Sequence, residues 1–187
     1  MKRTVSLLIM AAVILVAAGC KNSEPPPPSE PVVIPTEAVQ PNSMKVSELI
    51  GVVNTFLEFE EGYELTVESA EVMDDPANNE RIYVFNYGDF EVVLFADLGS
   101  DTFGYGYMRT MTIEYNTLIE VASVAGAFLK ALEPSEGENM LTEIVMRIEE
   151  FDSYEMEDFP EDVYTSYGEV WGMELREARL FNIFPKD

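Results

Sequence analysis

Histidine is absent from this chain, and cysteine occurs once, at Cys20. Imidazole acid–base catalysis and His/Cys zinc sites are therefore excluded, and beyond Cys20 so are thiol nucleophiles and disulfides. Basic residues are scarce: 11 Lys and Arg stand against 35 Asp and Glu, a formal net charge of −24. Three of each sign lie before Ser43, so the remaining 145 residues keep 8 bases, 32 acids and the whole −24. A surface this negative repels phosphate, so nucleic acid and anionic headgroups are poor partners for it, while cations and basic proteins are better ones. No apolar run reaches the ~20 residues that a membrane-spanning helix needs. The nearest, Val5–Ala18, is 14 residues long and interrupted only by Ser6. Gly104-Tyr105-Gly106-Tyr107 lacks the lysine of a phosphate loop and lies among strand signals, where glycine permits a bulge.

What is present begins with an export signal. Lys2 and Arg3 precede the apolar run, which ends in Ala17-Ala18-Gly19-Cys20. That ending resembles the lipobox of bacterial lipoproteins, with Ala17 standing where leucine is commonest. The resemblance covers the first 20 residues. It implies diacylglycerol on the Cys20 sulfur, cleavage before Cys20 and acylation of the new amino group. Two or more acyl chains hold a soluble body at a bilayer, at ~0.8 kcal/mol per buried methylene. Lys21 in place of aspartate leans toward the outer membrane in envelopes that have one. Residues 21–42 hold seven of the eleven prolines, including Pro25-Pro26-Pro27-Pro28. Such a segment stays extended, at ~3.1 Å per residue, and reads as a disordered spacer. The expected organisation is a signal peptide over 1–19, a lipidated cysteine and tether over 20–42, and an acidic globular domain over 43–187.

Within that domain Val46, Leu49, Ile50, Val53, Phe56 and Leu57 fall at helical spacing, with Ser43 as the expected cap. Strands are expected over Tyr63–Glu68, Arg81–Tyr87, Phe90–Asp97 and Tyr105–Tyr115, from alternation and from the turns Asp74–Asn79, Gly88-Asp89 and Gly99–Asp101. Leu118, Val121, Ala122, Ala125, Leu129 and Leu132 make a second helix, capped by Thr117 and stopped by Pro134. Leu141, Ile144, Val145, Ile148 and Phe151 line a third, with Ser135 as its cap. The last segment, Val163–Phe184, reads as one or two strands, with Val163, Thr165 and Tyr167 and then Trp171, Met173 and Leu175. The order α-ββββ-αα-ββ predicts an α+β fold, with helices on one face of an antiparallel sheet.

Three residue groups are candidates for function. The acidic loop Glu149–Asp162 offers Asp152, Glu155 and Asp158 to a hard cation such as calcium, although its spacing does not follow a calcium-binding loop. Tyr105, Tyr107 and Trp171 could line a ligand-binding sheet face, and strand aromatics otherwise fill cores. Cys20 is the lipidation site. No nucleophile elbow or Ser-x-x-Lys pattern is present. The expected function is a non-enzymatic, membrane-anchored binding or adaptor domain on the extracytoplasmic face of the envelope. It needs no cofactor, and its partners are the bilayer, through acylated Cys20, and an envelope protein. The alternatives are a small-ligand or cation receptor and a carboxylate-based cell-wall enzyme.

Overall fold

The helical spacing at the start of the domain forms α1, Val46–Leu57, which buries Val46, Leu49, Ile50, Val52, Val53 and Leu57. Its cap is not Ser43, whose hydroxyl donates to the Gln40 carbonyl at 2.5 Å. Glu48 in the first turn reaches back instead and accepts the Lys45 amide at 3.1 Å, one half of a capping box. The computed structural model describes residues 31–57, 64–112, 115–151, 163–176 and 179–186. No described helix is long and apolar enough to cross a membrane.

The expected strand at Tyr63–Glu68 is not one where it is described. Residues 64–66 are irregular and Val67–Ser69 forms a single 3-10 turn. Leu65 plugs the core, fully buried, and Val67 packs against it half-buried. The Asn54 side chain replaces a strand partner, donating to the Leu65 carbonyl at 2.6 Å and accepting its amide at 3.0 Å. The first strand is instead β1, Glu71–Asp75, whose three acids argue against a strand by propensity. It is an edge strand, and solvated acids are cheap there.

β2 (Glu80–Asn86), β3 (Phe90–Asp97) and β4 (Phe103–Thr110) complete an antiparallel meander. Gly88, at φ +85°, takes the first central position of the tight β2–β3 turn, a conformation that favours glycine. Two helices follow, α2 (Tyr115–Leu132) and α3 (Gly137–Phe151). Thr117 lies inside the first turn of α2 rather than at its cap, because the helix starts two residues earlier. The last segment divides into three strands, β5 (Val163–Tyr167), β6 (Trp171–Arg176) and β7 (Leu180–Pro185). β7 pairs with β4, so the two meanders merge into one seven-stranded antiparallel sheet of order β1-β2-β3-β4-β7-β6-β5. The architecture is the α+β arrangement that the sequence predicts, with a third C-terminal strand.

Alternation decides which side chains meet the helices. Tyr83 and Phe85, Val92 and Leu94, Met108, Phe181 and Ile183, and Met173 and Leu175 occupy neighbouring strands on one face, and all are buried. α2 is the middle helix of the layer, between α1 and α3, and is apolar nearly all round for that reason. At Gly126 a Cβ would come within 2.5 Å of Leu141, so glycine sets how closely α2 and α3 approach.

The end of the tether is tied to this core. Val39, 8% exposed, donates its amide to the Leu132 carbonyl at 2.8 Å, and its carbonyl accepts the Trp171 indole Nε1 at 2.5 Å. The Asn42 amide donates to the Phe103 carbonyl at 3.1 Å. The unit that carries the fold runs from Val32 to Asp187, so the domain begins before the expected Ser43. Beside this junction the buried Glu133 follows α2, and its Oε1 accepts the Val170 and Trp171 amides, each at 2.5 Å.

Candidate functional site: the open face of the sheet

The strand positions that alternate with the core residues point away from the helices. Cross-strand register assembles them into rows. Asp75, Glu80 and Asp97 are direct neighbours across β1, β2 and β3. The next row is Met73, Ile82, Phe95 and Tyr105. Beyond it lie Glu71, Val84, Val93, Tyr107, Asn182 and Glu174. An acidic row thus borders an apolar and aromatic one, all on one face.

The aromatic part is ordered by contact. Phe95 and Tyr105 stack with ring centroids 4.4 Å apart and planes 7° from parallel, and Tyr107 lies 6.1 Å from Phe95. The unbroken register from Phe90–Thr110 to Phe95–Tyr105 puts these rings on the open side; beyond it Phe103 opposes Ala96, so Gly104 is the extra residue, and the bulge returns Phe103 to the covered side. Tyr105 is 39% exposed and Met73 44%, so the row is wet. Val93, beneath Tyr107 in the next row, is buried without joining the helix-covered core.

The charges have one dominant sign. Like charges directly opposite each other in a sheet are destabilising, so three carboxylates in register are tolerated only where each is solvated or hydrogen-bonded. Asp97 is held below the ordinary carboxylate range, first by the Ser100 amide and hydroxyl and then by Gly99 and Asn79. Asp75 is lowered mainly by the Asn78 side chain, with help from the Ala77 and Asn78 amides. Glu80 accepts the Tyr105 hydroxyl at 2.9 Å. That phenol is pushed up to about 12, first by burial and then by the hydrogen bond and charge of Glu80, with Asp75 adding to it. Among the described bases of this face, Arg109 pairs with Glu91 at 2.8 Å, Arg176 pairs with Glu174, and Lys186 lies 5.9 Å over the Tyr167 ring and donates to the Gly168 carbonyl at 3.1 Å. Among the described residues Glu71, Asp75, Glu80 and Asp97 have no basic partner. The resulting surface combines the exposed Tyr105 and the half-buried Phe95 and Tyr107 rings with carboxylates that have no basic partner among the described residues. It suits guanidinium and ammonium groups, which gain from both.

The three aromatic candidates separate. Tyr105 and Tyr107 share the open face, whereas Trp171 is fully buried on the opposite side, its ring 5.4 Å from that of Phe103. It is therefore a core residue and an anchor for Val39, not part of a site with the two tyrosines. Asp152, Glu155 and Asp158 lie outside the described residues, as does Cys20. Among the described residues no three acidic, His or Cys side chains are grouped to hold a metal ion. Sequence reasoning missed Phe95, Met73, Ile82 and Glu80. The signal for Phe95 was the alternation Glu91, Val93, Phe95, Asp97, obscured because Val92, Leu94 and Ala96 are apolar too.

No family model, curated protein or solved structure matches this chain.

Proposed function

We propose that this protein is a lipid-anchored adaptor of the bacterial envelope, non-enzymatic, whose open sheet face receives a basic protein. The observation that carries the reading is the juxtaposition of the Met73–Ile82–Phe95–Tyr105 row, exposed at Met73 and Tyr105 and half-buried between them, with carboxylates that have no basic partner among the described residues. Apolar and aromatic area supplies affinity, and the negative potential speeds encounter with a positive surface and disfavours acidic competitors. The anchor rests on Cys20 and the lipobox resemblance, and the proline-rich segment gives the acidic body distance from an anionic bilayer.

The test uses full-length protein in cells, with a photocrosslinking amino acid at position 107. The expected capture is a basic envelope protein, lost when Glu80→Lys and Tyr105→Ala are combined, and weakened by salt in membrane extracts, where screening shortens to ~3 Å at 1 M. Capture unchanged by the double substitution and by salt would refute the reading. Cys20→Ser should move the protein from membranes to the soluble fraction. Unchanged fractionation would remove the anchor.

A further inference from the structure

The two edges of the sheet are not alike. β5, at one edge, has α3 beside it, and Ser166 donates to Glu143 of that helix at 2.5 Å. β1, at the other, has β2 as its strand neighbour, and its apolar side chains stay exposed on both faces, Val72 at 45% and Met73 at 44%. The sheet therefore extends one strand past the helical layer. Edge strands are commonly protected by proline, lysine or a bulge, which prevent another strand from adding. β1 has none of these: its five residues Glu71–Asp75 pair with β2 in unbroken register.

We propose that β1 is a strand-addition site for an extended basic segment of the partner protein. Among the described residues the guard on this edge is charge, and it acts by sign. Two copies of β1 paired antiparallel about Met73 would set Glu71 of each against Asp75 of the other, so self-pairing is repelled. A strand with basic residues opposite those two acids is attracted. Asp74, on the other face, is already bound by Arg81 at 2.8 Å and makes no demand. The added strand therefore reads, in chain order for antiparallel pairing, as basic, unrestricted, apolar, apolar, basic. These positions lie opposite Asp75, Asp74, Met73, Val72 and Glu71 in turn. Main-chain hydrogen bonds supply affinity and the alternate side chains supply choice, as in other cases of β-augmentation. The added strand widens the open face, with its first basic side chain beside the Asp75–Glu80–Asp97 row and its second beside Glu71. This inference rests on the reading that the domain binds a basic partner, and adds where and in what conformation.

The probe is a fluorescent peptide, Gly-Ser-Lys-Thr-Ile-Val-Lys-Ser-Gly, titrated into the full-length lipidated protein in detergent micelles and followed by anisotropy. Two further peptides carry backbone N-methyl groups on alternate residues, one on the odd and one on the even positions. Strand addition predicts saturable binding. One methylated peptide should lose at least tenfold in affinity, because its methyl groups face β1, while the other binds as the parent does. Met73→Lys should weaken the parent peptide at least tenfold, and Val163→Lys at the opposite edge should not. The absence of saturable binding would overturn the inference, as would equal binding of both methylated peptides or equal loss from the two lysine variants. Binding indifferent to methylation yet abolished by Tyr105→Ala would refute strand addition while leaving the open face as the partner's surface. The crosslinking result at position 107 then judges that reading separately.

Discussion

Two stacked aromatic pairs lie on opposite faces of the same sheet. Phe103 and Trp171 meet at 5.4 Å under the helices, with 2% and 0% exposure, and Phe95 and Tyr105 meet at 4.4 Å on the open side, where Tyr105 keeps 39%. Ring contact alone is worth ~0.5–1.5 kcal/mol in either place. The difference is what surrounds it. Trp171 is enclosed by the core and ties the arm to the body through Val39, so its area is already spent on folding. Tyr105 is backed by a carboxylate and faces water, so most of its remaining area is left for association. Both pairs are aromatic, and burial separates the pair committed to the core from the pair left with area open to water.

The comparison breaks first at the core. Trp171→Ala should cost ~3–5 kcal/mol and lower the melting temperature sharply, since it empties a large buried volume and strips Val39 of its donor. A calorimetric melt of the full chain checks this. If the loss were under about 1 kcal/mol, Trp171 would not be the core anchor assigned here. Glu133→Ala should cost ~1–3 kcal/mol by leaving the half-buried Val170 amide and the buried Trp171 amide without their acceptor. Glu133→Gln, which keeps a carbonyl oxygen there, should recover most of that loss in denaturant titrations.

Alkali probes both faces at once. The phenols of Tyr83 and Tyr87 on the covered side and of Tyr105 on the open side are raised from 10 to about 12, in each case chiefly by burial. A raised phenol means that folding favours the protonated form. Its stabilisation is intact below pH 10 and declines as pH climbs from 10 toward 12. Phenolate absorbance at 295 nm should show these three lagging behind the ordinary tyrosines until the fold opens. Glu80→Gln should bring Tyr105 closer to its ordinary value and leave Tyr83, which is bonded to Asp101 at 2.6 Å, unchanged. The smallest stability effect is expected at the open pair: Tyr105→Ala should cost only about 1 kcal/mol in unfolding experiments, while partner affinity falls about tenfold. An equal loss of stability from Tyr105→Ala and Trp171→Ala would erase the distinction between the faces.

Much of this was legible. The helical spacing of Val46–Leu57, and the apolar run Phe90–Asp97 bounded by the turns at Gly88-Asp89 and Gly99–Asp101, map onto α1 and β3 almost to the residue. The alternation Trp171, Met173, Leu175 in β6 already placed Trp171 with the core residues of its strand. Grouping it with Tyr105 and Tyr107 weighed ring chemistry above period. β1 was missed because Glu71, Asp74 and Asp75 lower strand propensity, a preference that an edge position overrides. Tyr63–Glu68 was misread because its alternation looks like a half-buried strand. A single asparagine on α1 satisfies the Leu65 backbone instead.

Composition by itself determined the chemistry open to this chain: no imidazole, one thiol at Cys20, and an excess of carboxylates whose potential repels phosphate and attracts basic groups. Local periodicity determined the elements and the α+β class. Only the tertiary structure decided which side of the sheet the helices cover and which acids stand together. Asp75, Glu80 and Asp97 become neighbours through strand register, not through distance along the chain. A shift of one residue in that register would exchange the two faces, and nothing local to any one strand encodes its alignment with the next.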